Sequence, residues 1–222
     1  MPSHAVIIHG ARVPLPPEVF AVGGSASNYL DDGEPAFRRK PRVWALQHFV
    51  LHETCGNTAS GCKDTLIRKG YGVQLILGPE GRLSCHGDLA TDVMVHANQV
   101  NPTSIGIEVV SPYAPAYARP PFGPTIAAQW WTWIPAGGKA LYVLPTPVQL
   151  AVLKALVPWL CGQLGIPCAF PTAGLGRGHA KIKGWDAKPA AVPGPGVVAH
   201  RDFAGHADGR YLLEQLMEAS HG

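Results

Sequence analysis

The chain reads as a mixed α/β (α+β) single domain, with a central mixed β-sheet flanked by helices and interrupted by Pro/Gly-rich loops. Three observations carry that expectation. Short apolar runs of strand length alternate with only a few helical patterns, as in sheets covered by helices. The 222 residues suit one sizeable core and are marginal for two. Gly (26) and Pro (22) are abundant, so much of the chain must be connection.

Taken in order, Ala5–His9 is a short strand candidate that leads into loop through about residue 41. Residues 1–42 are therefore expected as an irregular N-terminal extension packed on a domain spanning 43–222. Val43–His52 reads as a central strand, apolar on both faces toward its end. Ser60–Lys69 reads as a short helix with Ser60 as N-cap and Leu66 and Ile67 on its apolar side. Gly72–Leu77, the turn Gly78-Pro79-Glu80-Gly81 and Arg82–His86 form a hairpin pattern. Ser104–Val110 is another strand, with Ile105, Ile107 and Val109 on one face. Thr146-Pro147-Val148-Gln149 has the form of a capping box opening a helix whose apolar side includes Leu150, Leu153, Leu156 and Leu160. Pro158 is expected to bend or split it. A last helix is expected over 209–219. Residues 113–145 and 171–195 stand out as loop insertions.

Composition excludes several function classes. The charged fraction, 15%, is too low for a disordered or coiled-coil chain. The net charge of +3 is mild, and Arg38-Arg39-Lys40 is the one tight basic run, which argues against nucleic acid as a partner. The first ten residues lack a basic, apolar leader pattern, and we find no run of about 18 apolar residues, so neither a secretory signal nor membrane insertion is expected. Synthesis in the cytoplasm follows, with any action outside it requiring another route of release. Cys55 and Cys62 are near enough in sequence to pair, but reduced thiols explain an odd count of five equally well.

His52 and His200 close two separate apolar runs, and Asp208 follows the second. Two neutral imidazoles and a carboxylate make a zinc ligand set with one position left open, the pattern of a hydrolytic site. Each residue also has a plainer explanation. A lone His at a strand end is commonly a hydrogen-bonded structural group. Asp208 stands where an N-cap for the last helix belongs.

The order and neighbours of these residues carry more. His52 at the end of its strand, His96-Ala97, Asn101, Ser104-Ile-Gly-Ile-Glu108 and His200-Arg-Asp with Asp208 resemble the zinc-dependent N-acetylmuramoyl-L-alanine amidases. This type 2 group includes the peptidoglycan recognition proteins and phage amidases. The resemblance covers roughly 43–110 and 146–217.

The resemblance implies one Zn2+ held by His52, His200 and Asp208, with Glu108 as general base and His206 stabilising the oxyanion. Similar carboxylate-type enzymes commonly carry Lys at the position of His206. An imidazole is only partly charged near neutral pH, so this role would be pH-sensitive. His96 and Asn101 match positions that border the substrate groove, or else are loop-forming residues. His48 reads as structural. Trp130, Trp131 and Trp133 are core or glycan-stacking residues in equal measure. The implied reaction is hydrolysis of the amide between N-acetylmuramic acid and L-alanine in peptidoglycan or muropeptides, by a monomer. A lytic, endolysin- or toxin-like role leads, ahead of cytosolic muropeptide recycling and of peptidoglycan binding without catalysis. A purely structural zinc would need a fourth protein ligand, from Glu53 or His206.

Overall fold

The computed structural model describes residues 5–19, 29–30, 37–112, 115–123, 125–127, 141–172, 192–204 and 208–220. Its strands are β1 (Ala5–Ile8), β2 (Ala11–Pro14), β3 (Tyr29–Leu30), β4 (Lys40–Pro41), β5 (His48–Glu53), β6 (Leu75–Leu77), β7 (Leu83–Cys85), β8 (Asp92–Val93), β9 (Ser104–Val109), β10 (Thr125–Ala127), β11 (Leu141–Val143) and β12 (Gly196–Ala199). The helices are α1 (Ala59–Lys69), α2 (Pro147–Leu164), α3 (Arg201–Ala204) and α4 (Arg210–Ser220).

Six strands form one mixed sheet in the order β12-β5-β9-β6-β7-β3. The first four run parallel, and β7 turns back antiparallel to β6. Strand alternation sends Phe49, Leu51, Ile105, Ile107 and Val109 to one face, where they join α2 and α4 through Leu153, Leu156, Leu160, Leu212 and Leu213 in the main core. The opposite face carries Val50, which meets Ala97 and Val100, and Ile76, which meets Cys62 of α1. His52 and Glu108 share that second face, side by side at the carboxyl ends of parallel strands. Open α/β sheets bind ligands there.

Local chemistry explains most element ends. The capping box at Thr146 is fully formed: Gln149 N–H donates to Thr146 Oγ1 at 3.2 Å and Thr146 N–H to Gln149 Oε1 at 2.9 Å. Helix α2 runs unbroken through Pro158, because buried Val152, Leu153, Leu156 on one side of it and Leu160, Cys161 on the other anchor both halves. The cap of α1 is Thr58, two residues before the expected Ser60; its side chain accepts from Gly61 N at 3.1 Å. The first strand is half of a hairpin, β1–β2, turned by His9 (φ 51) and Gly10 (φ 76).

Two further expectations need correction, beyond the unbroken helix at Pro158 and the cap at Thr58. Strand β5 begins at His48 rather than Val43, since pairing starts only where Ser104 and Gly196 come alongside. Val43 and Trp44 before it are 81% and 64% exposed. The approach is held instead by Arg42, whose guanidinium donates to the carbonyls of Ala90, Asp92, Pro102 and Ser104. A helix of membrane-spanning length and composition is also present: α2 has 18 residues and a mean hydropathy of 1.2. Gln149, Lys154 and Gln163 interrupt its apolar residues, which hides it from a search for continuous runs. Its apolar face is packed into the core. All five cysteines are free thiols, Cys55 and Cys62 included.

Candidate metal centre

His52 lies on the last turn of pleat of β5, and His200 follows β12 directly. The neighbouring strands bring the two rings together, with centroids 4.4 Å apart. The chain then passes through α3 and returns at Asp208, whose backbone carbonyl accepts the Arg201 N–H at 3.0 Å. That bond fixes Asp208 beside the end of β12, with its carboxylate toward both rings.

Three atoms converge as a result. His52 Nδ1 and His200 Nδ1 are 3.1 Å apart, and Asp208 Oδ2 is 3.3 Å from each. All three residues are buried. Donors placed tetrahedrally at zinc's usual 2.0–2.1 Å bond length are about 3.3 Å from one another, so the near-equilateral triangle fits a small tetrahedral cation. Two imidazole nitrogens and one carboxylate oxygen are also the donor chemistry zinc prefers. Among the described residues, this is the group of His, Cys, Asp and Glu side chains able to hold a metal ion. Burial pushes the Asp208 carboxyl up, but the charges and hydrogen bonds of His200 and His52 outweigh it and hold the group far below the usual carboxylate range.

Glu108 lies next to His52 across the sheet and is buried. Its Oε2 has no hydrogen-bond partner among the described residues. Burial first, and then the nearby Asp208 and Glu53 carboxylates, push its pKa up to about 8. Positive charge placed among the three donors would favour its carboxylate form. A buried carboxyl with one oxygen unpartnered among the described residues, beside these three donors, has the chemistry to take up and release a proton.

Glu53 does not join the triangle. Its carboxylate accepts from Tyr142 Oη and from the Gly209 N–H at 3.0 Å, and its own N–H donates to Asp208 Oδ2 at 3.4 Å. It thus braces the Asp208 loop from the main-core face. Burial raises its pKa to about 7, against the lowering effect of hydrogen bonds from Tyr142, Gly209 and Ser111. The sequence marks Glu53 only as a carboxylate closing an apolar run, with nothing to reveal Tyr142 and Gly209 as partners.

His96 sits beside His52 with Nδ1 3.0 Å from His52 Nε2. Burial, followed by the charges of His52, His200 and Arg42, lowers its pKa well below the ordinary imidazole value. Asn101 Oδ1 accepts the N–H groups of His96 and Ala97 at 3.0 and 2.6 Å, so its oxygen shapes the loop. His48 has Nδ1 3.3 Å from Thr103 Oγ1 and Nε2 3.0 Å from the Pro193 carbonyl, a structural role. His206 and Trp130, Trp131 and Trp133 lie outside the described residues.

Comparison with known proteins gives this geometry a family. A family model described as N-acetylmuramoyl-L-alanine amidase matches residues 42–209. Among solved structures, the N-acetylmuramoyl-L-alanine amidase LysC from Clostridium intestinale URNW superposes with a TM-score of 0.55 at 13% identity, covering 89% of this chain and 99% of its own. At that identity the likeness is one of fold. Drosophila peptidoglycan recognition protein SA gives 0.47 at 13% identity, over 86% and 91% of the two chains. The E. coli amidase AmiD, in complex with an anhydro-N-acetylmuramic acid peptide, gives 0.43 at 18% identity, over 75% and 53%. No curated protein sequence matches significantly. The matched segment spans most of the chain and includes the whole sheet end where His52, Glu108, His200 and Asp208 meet, so the chain belongs to the type 2 N-acetylmuramoyl-L-alanine amidase family, the peptidoglycan amidases.

Proposed function

We propose that this amidase is zinc-dependent, that it cleaves the amide joining N-acetylmuramic acid to the L-alanine of the stem peptide, and that it acts as a lytic enzyme on the cell wall. The triangle of His52 Nδ1, His200 Nδ1 and Asp208 Oδ2, with edges of 3.1 to 3.3 Å, is the observation that carries the reading. Zinc held there would supply Lewis acidity toward the amide carbonyl and toward water.

The chain's own residues account for the proton. Glu108 as carboxylate accepts a proton from the attacking water as its oxygen bonds to the amide carbon. The same carboxyl then delivers that proton to the departing nitrogen as the C–N bond breaks, leaving a carboxylic acid on the sugar and a free L-alanine amine. His206, two residues before Asp208, is assigned to the oxyanion, where it acts when protonated. His96 and Asn101 place their loop at the rim of the site, toward the muropeptide. The charge of +3 favours approach to an anionic wall, which supports the lytic role for a monomer.

Incubation with purified peptidoglycan, with and without chelator, tests the reading. The expected products are new L-alanine amino termini, lost on metal removal and restored by Zn2+. Cleavage of glycosidic bonds alone, or full activity after metal removal, would overturn it. Binding to peptidoglycan without release of any amine would favour a non-catalytic recognition role. Hydrolysis of soluble muropeptides with intact walls untouched would favour recycling over lysis.

A further inference from the structure

The Ser-Ile-Gly-Ile-Glu segment does more than carry Glu108. Ser104, Gly106 and Glu108 alternate along β9 and share the face that holds His52. The partly buried His96 lies across that face. Its Nε2 is 3.2 Å from Ser104 Oγ and its Nδ1 is 3.0 Å from His52 Nε2. The two rings meet edge-on, at 75° with centroids 5.2 Å apart. Room for His96 exists because residue 106 has no side chain: a Cβ there would stand 2.7 Å from His96 Nδ1 and 2.8 Å from its Cε1.

The hydrogen bonds run in one direction only. A neutral imidazole has one N–H and one lone pair. His52 turns Nδ1 toward His200 and Asp208, so a lone pair is needed there and the proton must sit on Nε2. That N–H can donate only if His96 Nδ1 accepts. His96 then carries its own proton on Nε2, facing the Ser104 hydroxyl oxygen, which accepts. The reverse tautomers would put a proton where the metal donors converge.

We infer that His96 is a positioning residue: it holds His52 in the Nε2–H tautomer and ring orientation that ligation requires, with Ser104 orienting His96 and Gly106 making the space. The inference rests on the zinc reading. It gives the first half of the motif a physical task separate from that of Glu108, and it assigns to His96 a role other than substrate contact.

The test uses the full chain and two readouts: Zn2+ affinity by competition with a chromophoric chelator, and the His52 tautomer in zinc-free protein by long-range 1H–15N NMR. Loss of an outer partner of a metal ligand typically costs 10–100-fold in affinity, and His96→Leu should weaken zinc binding by about that much. His96→Gln retains an acceptor oxygen and should recover most of the loss. Ser104→Ala should give a smaller loss, about three- to tenfold. The wild type should show His52 protonated at Nε2, and His96→Leu a mixture of tautomers. A merely structural role for His96 would leave the tautomer unmoved and would not be rescued by Gln. Should His96→Leu fail to fold, His96→Gln and Ser104→Ala with the wild-type NMR decide the matter. Wild-type zinc affinity in the folded variants, or a wild-type His52 protonated at Nδ1, would overturn the inference while leaving the zinc reading intact. Failure of the wild-type chain to bind Zn2+ would overturn both.

Discussion

The Glu53 carboxylate accepts the Gly209 N–H at 3.0 Å, tying the end of β5 to the residue that follows Asp208. The metal-donor set is therefore braced through the sheet. His52 and Glu53 are consecutive, one facing the donors and the other reaching behind them to the loop that delivers the third. Glu53→Ala would remove the acceptor of the Gly209 N–H and one partner of the Tyr142 hydroxyl in a buried site. An unsatisfied buried group costs about 1–3 kcal/mol, so the variant should lose about 2–4 kcal/mol in urea unfolding, and Glu53→Gln distinctly less. Zinc affinity should fall in the Ala variant as the Asp208 loop loosens.

Gly209 itself is constrained by more than that hydrogen bond. Its φ is +88°, and a Cβ would lie 2.1 Å from the Leu51 carbonyl oxygen and 2.9 Å from its carbon. Both are rigid sheet backbone, so no side-chain movement relieves the clash. Gly209→Ala should destabilise by at least about 2 kcal/mol, combining backbone strain with displacement of α4 from the sheet. Gly70, at φ +70° with nothing within 4 Å, provides the control. Gly70→Ala bears only the left-handed penalty and should cost about 1 kcal/mol in the same assay.

These two residues mark the limit of what the sequence discloses. His52, Glu108, His200 and Asp208 are legible because each closes or follows a local apolar pattern and together they keep a motif order. The capping box at Thr146 and the 75–85 hairpin are legible because their chemistry lies within a few residues. Glu53 and His96 take their roles from contacts across 156 and 44 positions of chain, which no local pattern encodes. Arg42 is similar: nothing in the run Arg-Lys-Pro-Arg tells which cation will bury itself against four carbonyls. Strand β2 escaped because Ala11-Arg-Val-Pro has little apolar alternation and forms through the tight turn at His9-Gly10.

Metal binding should be visible in stability as well as in activity. A ligand that binds only the folded chain at a hundred times its dissociation constant adds about 2.7 kcal/mol. For a chain of this size that corresponds to a rise in Tm of about 5–10 °C on adding Zn2+ to the metal-free protein. Asp208→Ala and His200→Ala remove one corner of the triangle each, and with it two of the three edges, and should abolish the rise. Mg2+, which prefers six oxygen donors, should produce none.

Asp88 gives the fold its clearest acid sensitivity away from the site. Its carboxylate accepts four backbone N–H groups, from His9 (3.1 Å), Gly10 (2.6 Å), Ala90 (2.8 Å) and Thr91 (3.1 Å), and so stitches the β1–β2 turn to the loop before β8. Burial alone would raise its pKa, but the four donors together lower it below 3.8. With a depressed folded pKa, the unfolded chain binds the proton more readily, so the contribution is present above the unfolded value and disappears as pH falls through the folded one. Asp88→Asn should cost about 1–3 kcal/mol at neutral pH. The gap between wild type and variant should narrow below about pH 4 in denaturant titrations. A gap that stays constant from pH 7 to pH 3 would mean that packing, and not the carboxylate, is the source.

The proton role proposed for Glu108 can be tested apart from metal binding. Its side chain is nearly isosteric with glutamine, and its Oε2 has no hydrogen-bond partner among the described residues, so Glu108→Gln exchanges a proton carrier for an amide with little change of shape. Buried, with Oε2 unpartnered among the described residues and its pKa raised to about 8, the carboxyl costs the fold stability when ionised, and the neutral amide removes that cost. Glu108→Gln should therefore be at least as stable as the wild type in the metal-free state at pH 9. Its kcat on muropeptide should nevertheless drop about 10²–10⁴-fold, the usual worth of a positioned acid–base group. Zinc stoichiometry should stay at one per chain, measured on the same preparation. Full activity in this variant would move the proton transfer elsewhere in the site, and a loss of zinc would place Glu108 among the donors.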